Sequence, residues 1–244
     1  MPRGHGPFPL LFVIHGGFWR NRYDLSHISH LCSSLTGTGI VTCNLEYRRI
    51  GDAGGGWPGT FQDLVQGTDR IVEMLSSEES VDAARTAVLG HSAGGHLALW
   101  LSARGKVSKT SELSDTSPPK ITRVISLAGV CDLRQAWREN LGNDAVTKLI
   151  GGSPHEHPER YQAANPIELL PSHSSQALVH GNADDVVPVS QSEKFAARAR
   201  AMGEHPELIR LENTGHFELI DPESDAWSTV ERSVMSMLEI RVKE

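Results

Sequence analysis

Ser92 stands in the segment Gly90-His91-Ser92-Ala93-Gly94-Gly95, directly after the apolar run Thr86-Ala87-Val88-Leu89. A G-x-S-x-G frame that follows a strand and opens a helix holds its serine on a sharp, strained turn with small neighbours and presents the hydroxyl outward. The chemistry this permits is nucleophilic attack. A serine hydroxyl is a weak nucleophile, so it needs a neutral imidazole as general base and a third group to orient that imidazole. His216, in Asn213-Thr214-Gly215-His216-Phe217 after the last apolar run, is placed to fold back as that base. Two carboxylates, Asp184 and Asp185, follow the preceding run within His180-Gly181-Asn182-Ala183-Asp184-Asp185-Val186-Val187-Pro188. Either could orient the imidazole, and either could equally be a solvated turn or the N-terminal charge of the next helix.

Attack on a carbonyl creates an oxyanion, which needs preorganised N–H donors. Ala93, immediately after the serine, supplies one backbone N–H. His15-Gly16-Gly17-Phe18-Trp19 ends the first apolar run with glycines that let the main chain approach a substrate, so Gly17 or Phe18 is the expected source of the second.

These segments must be carried by regular elements. Nearly continuous apolar runs at 9–14, 40–45, 86–89, 124–127, 176–179 and 207–211 read as strands buried on both faces. Helix-length segments at 25–35, 62–75, 94–103, 190–201 and 225–238 lie between or after them. Alternation of this kind predicts an α/β fold with a mostly parallel central sheet and helices on both faces, its ligand site at the carboxyl ends of the strands. Residues 131–170 break the alternation with Trp137, a Gly-Gly-Ser-Pro turn and short helical pieces near 144–150 and 158–164, and read as a lid-like insertion over the strand ends within a single domain spanning 1–244.

The chain has 244 residues, of which 39% are hydrophobic and 22% charged, the balance of a soluble globular protein. A net charge of −7 without a basic cluster argues against a nucleic-acid partner. The longest apolar stretch near the N-terminus is too short to span a bilayer, and no leader is evident, so no membrane partner is expected. Cys32, Cys43 and Cys131 are odd in number and far apart, which fits reduced thiols and a cytoplasmic location.

The motifs resemble the α/β-hydrolase superfamily, and within it the small esterases and kynurenine-formamidase-like enzymes that carry H-G-G-[FY]-W and G-H-S-A-G-[GA]-H. Glu46-Tyr47-Arg48-Arg49, Gly56-Trp57-Pro58-Gly59, Gly151-Gly152-Ser153-Pro154 and Gly215-His216-Phe217 extend the likeness over essentially the whole chain. The resemblance implies Ser92 as nucleophile, Asp184 rather than Asp185 as orienting acid, His216 as base, a covalent acyl-enzyme, a small-molecule ester substrate and no metal or organic cofactor. A formamide substrate, or a binding module that has kept the fold, are the competing expectations. That fold usually places two further strands ahead of the one ending in H-G-G, and here that strand begins within about ten residues of Met1. The first two strands therefore look to be missing, which would leave the 40–45 strand as a sheet edge able to pair with a second copy of the chain.

Trp19, Trp57 and Trp137 are candidate walls of the substrate pocket, with a core role as the alternative for each. His155 and His157 lie between prolines with no third ligand nearby and read as a solvated loop rather than a metal site. His91 reads as packing within the serine turn, and Arg48 and Arg49 as an ion-pair cluster with Glu46.

Overall fold

A strand that is apolar at nearly every position must be covered on both faces, and that requirement organises the computed structural model, which describes residues 1–114 and 121–240. Six strands, β1 (Phe8–Ile14), β2 (Val41–Leu45), β3 (Val81–His91), β4 (Arg123–Leu127), β5 (Ser175–Gly181) and β6 (Glu207–Leu211), form one sheet in the order β2-β1-β3-β4-β5-β6. Every neighbouring pair is parallel.

Side chains alternate across each strand. Leu10, Phe12, Ile14, Val88, Val124 and Leu178 face one layer, built from α2 (Gly59–Leu75), α3 (Ala93–Ala103), α7 (Ser190–Ala201) and the insertion. Leu11, Val13, Leu89, Ile125, Leu127 and Val179 face the other, built from α1 (Ser29–Gly37) and α8 (Trp227–Met237). The insertion after β4 contributes α4 (Leu133–Arg138), α5 (Ala145–Ile150) and α6 (Pro158–Ala164).

All six expected strands are present, with three instructive differences. β3 begins five residues before the apolar run, because a register shift between Pro9 and Leu10 lets Val81 and Asp82 pair with Phe8 and Pro9. That early stretch, Val81-Asp82-Ala83-Ala84-Arg85, is broken by the Asp82–Arg85 ion pair at 2.7 Å, so a search for a continuous apolar run could not find it. Helix α4 was not anticipated either. Its signal is local: the Asp132 carboxylate accepts from the N–H groups of Arg134 and Gln135 at 2.9 and 3.1 Å, an N-cap. The 25–35 segment divides into a 3-10 turn (Leu25–Ile28), capped by Asp24, and α1. β2 forms one edge of the sheet and pairs with β1 alone among the described strands.

Candidate active site

β3 runs into α3 with Ser92 as the junction. Its backbone has φ 57° and ψ −120°, a left-handed conformation that costs a non-glycine residue about 1–3 kcal/mol. The turn is held by Ser92 N–H donating to the Leu127 carbonyl at 2.8 Å and by the Ser92 carbonyl accepting from His96 N–H at 3.1 Å. Close approach explains the glycines. A Cβ on Gly94 would lie 2.1 Å from the Ile14 carbonyl oxygen, and one on Gly16 would lie 3.0 Å from the Ser92 Cβ. The loop after β1 is thereby pressed against the serine. Ala93 opens α3, and the first N–H groups of a helix have no partner within it, so its donor sits free of the helix ladder at the positive end.

β5 and β6 bring two more groups to the same end of the sheet. His216 Nδ1–H donates to Asp184 Oδ2 at 2.6 Å, between side chains 2% and 0% exposed. The other carboxylate oxygen of Asp184 accepts from the N–H groups of Val186 and Val187 at 2.9 and 2.8 Å, and His180 Nε2 lies 3.3 Å from Oδ2. Burial alone would raise the Asp184 pKa, but hydrogen bonds from His180 and His216, with the His216 charge and the Val187 amide, outweigh it and hold the carboxyl well below its usual range. Asp185 is exposed.

His91 ties the serine turn to the histidine loop. Its Nε2–H donates to the His216 carbonyl at 2.9 Å, and the two rings lie 4.5 Å apart. Burial first, and the neighbouring His216 second, pull its pKa well below the ordinary histidine value, so the ring is neutral. Phe217, 52% exposed, sets its ring perpendicular to His216 at 5.1 Å and marks the open side of the site.

The loop after β1 adopts left-handed backbone at Gly17 (φ 104°), Phe18 (φ 50°) and Trp19 (φ 57°). Several contacts hold it there. Tyr47 donates its hydroxyl proton to the His15 carbonyl at 3.1 Å, Ile50 N–H donates to the Trp19 carbonyl at 2.7 Å, and Arg20 donates to the carbonyls of Gly142 (2.6 Å) and Asn143 in the insertion. Phe18 packs its ring so close to Gly142 that a Cβ there would lie 2.4 Å from it.

The three tryptophans part ways. Trp19 is a correction: it is fully buried in the core rather than lining a pocket, because its indole N–H finds a partner in His96 Nδ1 at 3.2 Å. Trp57 donates to Glu112 at 2.8 Å and borders a cavity of about 310 Å³ with Lys106 and Arg160; none of Ser92, Asp184 and His216 lines that cavity. Trp137 is half-buried on α4, edge-on to His155 at 5.9 Å.

His180 is a site contact that pattern reading missed, and His91, expected to pack within the serine turn, also bonds the histidine loop, a link the sequence did not suggest. His180 ends an apolar strand, where a histidine stands out as a polar residue in an otherwise buried run. His91 occupies the variable position of the serine frame, which spacing alone cannot interpret. Among the described residues, no three histidine, cysteine or acidic side chains cluster as metal ligands, and no helix is long and apolar enough to cross a membrane.

Comparison with known proteins bears on this arrangement. The family model described as BD-FAE matches residues 1–199. Esterase LipC of Mycobacterium tuberculosis is 28% identical over 228 residues, covering 88% of this chain and 54% of LipC. Kynurenine formamidase avaC of Aspergillus versicolor is 25% identical over 219 residues, covering 76% of this chain and 74% of avaC. The chain spans about half the length of several curated relatives it matches. In fold, the esterase Est2 of Thermogutta terrifontis, solved with propionate bound, superposes with a TM-score of 0.73 at 21% identity, covering 100% of this chain and 89% of Est2. The six-stranded parallel sheet is thus that of an α/β-hydrolase.

Proposed function

The chain belongs to the BD-FAE family, an α/β-hydrolase esterase family, and from that premise we propose that it hydrolyses a small to medium carboxylic ester through Ser92, His216 and Asp184. The observation that carries this reading is the 2.6 Å bond from His216 Nδ1 to the buried Asp184 carboxylate, in a loop joined through His91 to the turn that holds Ser92 at positive φ. With Nδ1–H committed to Asp184, the imidazole offers Nε2 as the acceptor for the serine proton. Ser92 Oγ then attacks the ester carbonyl, the proton passes to His216, and the oxyanion is received by the N–H groups of Ala93 and of Gly17 or Phe18. Collapse of the tetrahedral species expels the alcohol, which takes the proton from His216. Water, deprotonated by the same imidazole, releases the acid and restores Ser92. No metal or cofactor takes part in these steps.

On this reading residues 131–170 act as a lid-like insertion within one domain, tied to the loop after β1 by the Arg20 bonds, and the free thiols of Cys32, Cys43 and Cys131 fit a cytoplasmic setting. A second reading, an arylformamidase-type amide hydrolase, is favoured by the likeness to avaC over about three quarters of both chains. Hydrolysis of p-nitrophenyl acetate and butyrate, and of N-formyl aromatic amines, by wild type and Ser92→Ala separates the cases. Ester turnover confined to wild type supports the esterase, formamide turnover alone supports the second reading, and binding of either compound without turnover supports a binding module.

A further inference from the structure

His96 lies one turn beyond Ser92 on α3, fully buried, and its two ring nitrogens make two different demands. Nδ1 sits 3.2 Å from the indole nitrogen of Trp19, and Nε2 sits 2.9 Å from the Ala164 carbonyl at the end of α6. An indole N–H only donates and a carbonyl only accepts. One protonation state alone satisfies both: the neutral ring with its proton on Nε2. Burial pushes the His96 pKa down to about 4, in keeping with that state.

We propose that His96 is a positioning residue which, through the Trp19 indole, fixes the oxyanion-binding loop relative to Ser92; this rests on the esterase reading above. The loop needs such a hold. Gly17, Phe18 and Trp19 are consecutive left-handed residues, and each non-glycine in that conformation costs about 1–3 kcal/mol that the surroundings must offset. Trp19 follows directly on the two candidate donors, so fixing its indole fixes their N–H groups. The other donor, Ala93, lies on the same helix as His96, three residues before it. Both halves of the oxyanion site are therefore referred to α3, one by its backbone and one by the His96–Trp19 bond. The same ring reaches the insertion: His96 and Trp100, one helical turn apart, donate to the Ala164 and Ala163 carbonyls at 2.9 Å each, satisfying the open carbonyl end of α6.

The experiment compares wild type with Trp19→Phe, His96→Asn and His96→Gln on p-nitrophenyl butyrate, with thermal melts to confirm that each variant is folded. Phenylalanine keeps the ring but removes the donor. Asparagine places an acceptor near the Nδ1 position and keeps the Trp19 bond; glutamine reaches the Nε2 position and keeps only the Ala164 bond. Misplacing a group by about 1 Å can cost about 100-fold, so Trp19→Phe and His96→Gln are expected to lower kcat roughly 10- to 100-fold with KM within about twofold. His96→Asn is expected to stay within about threefold of wild type in kcat, since its acceptor preserves the alignment. A purely structural role would instead lower the melting temperature of both His96 variants alike and leave the kcat of folded enzyme unchanged. Wild-type kcat in Trp19→Phe, or His96→Asn no better than His96→Gln, overturns the inference. Nitrogen-15 chemical shifts of wild type supply an independent readout, and a proton on His96 Nδ1 overturns it as well. Wild type without ester turnover defeats the esterase reading and this inference with it, whereas an active wild type with an indifferent Trp19→Phe defeats this inference alone.

Discussion

The two faces of the central sheet are built from different materials. Between the sheet and α1 and α8, the buried set is almost wholly aliphatic: Leu11, Val13, Leu89, Ile125, Leu127 and Val179 meet Leu31, Leu35, Val230 and Val234. Between the sheet and α2, α3 and α7, the core admits Trp19, Trp100, His96 and His180, each with its ring N–H groups or nitrogens hydrogen-bonded. Buried Arg104 also lies there, with Asp69 2.7 Å away. Apolar contact is non-directional and fixes a layer against a sheet, whereas a hydrogen bond fixes an angle and a protonation state. The first face anchors the strands, and the second aims the loops that leave their ends.

The largest expected effects probe the aimed side. Ser92→Ala should lower ester turnover by at least about 10⁴-fold while leaving the melting temperature close to wild type. Retained turnover would remove Ser92 from the mechanism. Asp184→Asn should cost about 10³–10⁴-fold in kcat, since an amide cannot stabilise the imidazolium or hold its tautomer; a loss below tenfold would detach Asp184 from the triad. The aliphatic side should behave oppositely. Ile125→Ala is expected to cost about 2–5 kcal/mol in urea unfolding, with kcat of the folded enzyme unchanged, and a selective fall in kcat would break the division between the faces.

Proton linkage sharpens the contrast further. His96 is held neutral in the folded state, its pKa lowered to about 4 from 6.5, so the unfolded chain takes up the proton first. Its contribution to stability is complete above the ordinary histidine value and is lost as pH falls from there toward about 4. Urea unfolding between pH 7 and pH 4 should therefore be less pH-dependent in His96→Asn, by up to about 1.4 kcal/mol per pH unit for the one proton. Equal slopes would mean the ring titrates normally. Asp184, whose folded pKa is lowered, has its contribution in full above the ordinary carboxylate value of 3.8 and loses it only in stronger acid. The smallest expected effect concerns β2, which pairs with β1 alone among the described strands and is the edge at which a second copy of the chain would pair. Light scattering should show a weak rise in mass with concentration, diminished in Cys43→Lys; a constant monomer mass would leave this edge without a partner.

Much of the fold was legible because buried parallel strands announce themselves: six apolar runs became six strands, and the ends of α7 at Ser190 and Ala201 match the sequence pattern. The serine frame was equally legible, since only small residues tolerate the approach of Gly94 to the end of β1. What spacing could not supply was direction. Trp19 and Trp57 look alike as aromatic residues in glycine-rich loops, yet one turns into the core and the other borders a cavity elsewhere. His96 and His91 each look like helix or turn filler until their nitrogens are matched with partners. Asp184 and Asp185 are adjacent and chemically identical, and only the backbone, through the amides of Val186 and Val187, distinguishes the buried carboxylate from the solvated one.

His216 and the residue beside Ser92 are 125 positions apart in the chain, yet one hydrogen bond joins them, and it exists only once β6 has docked on β5. The serine turn itself waits on a later strand, since the Ser92 N–H donates to the Leu127 carbonyl at the end of β4. The junction between the serine turn and the histidine loop is thus a late contact in chain order, closed only when the two halves of the sheet are together.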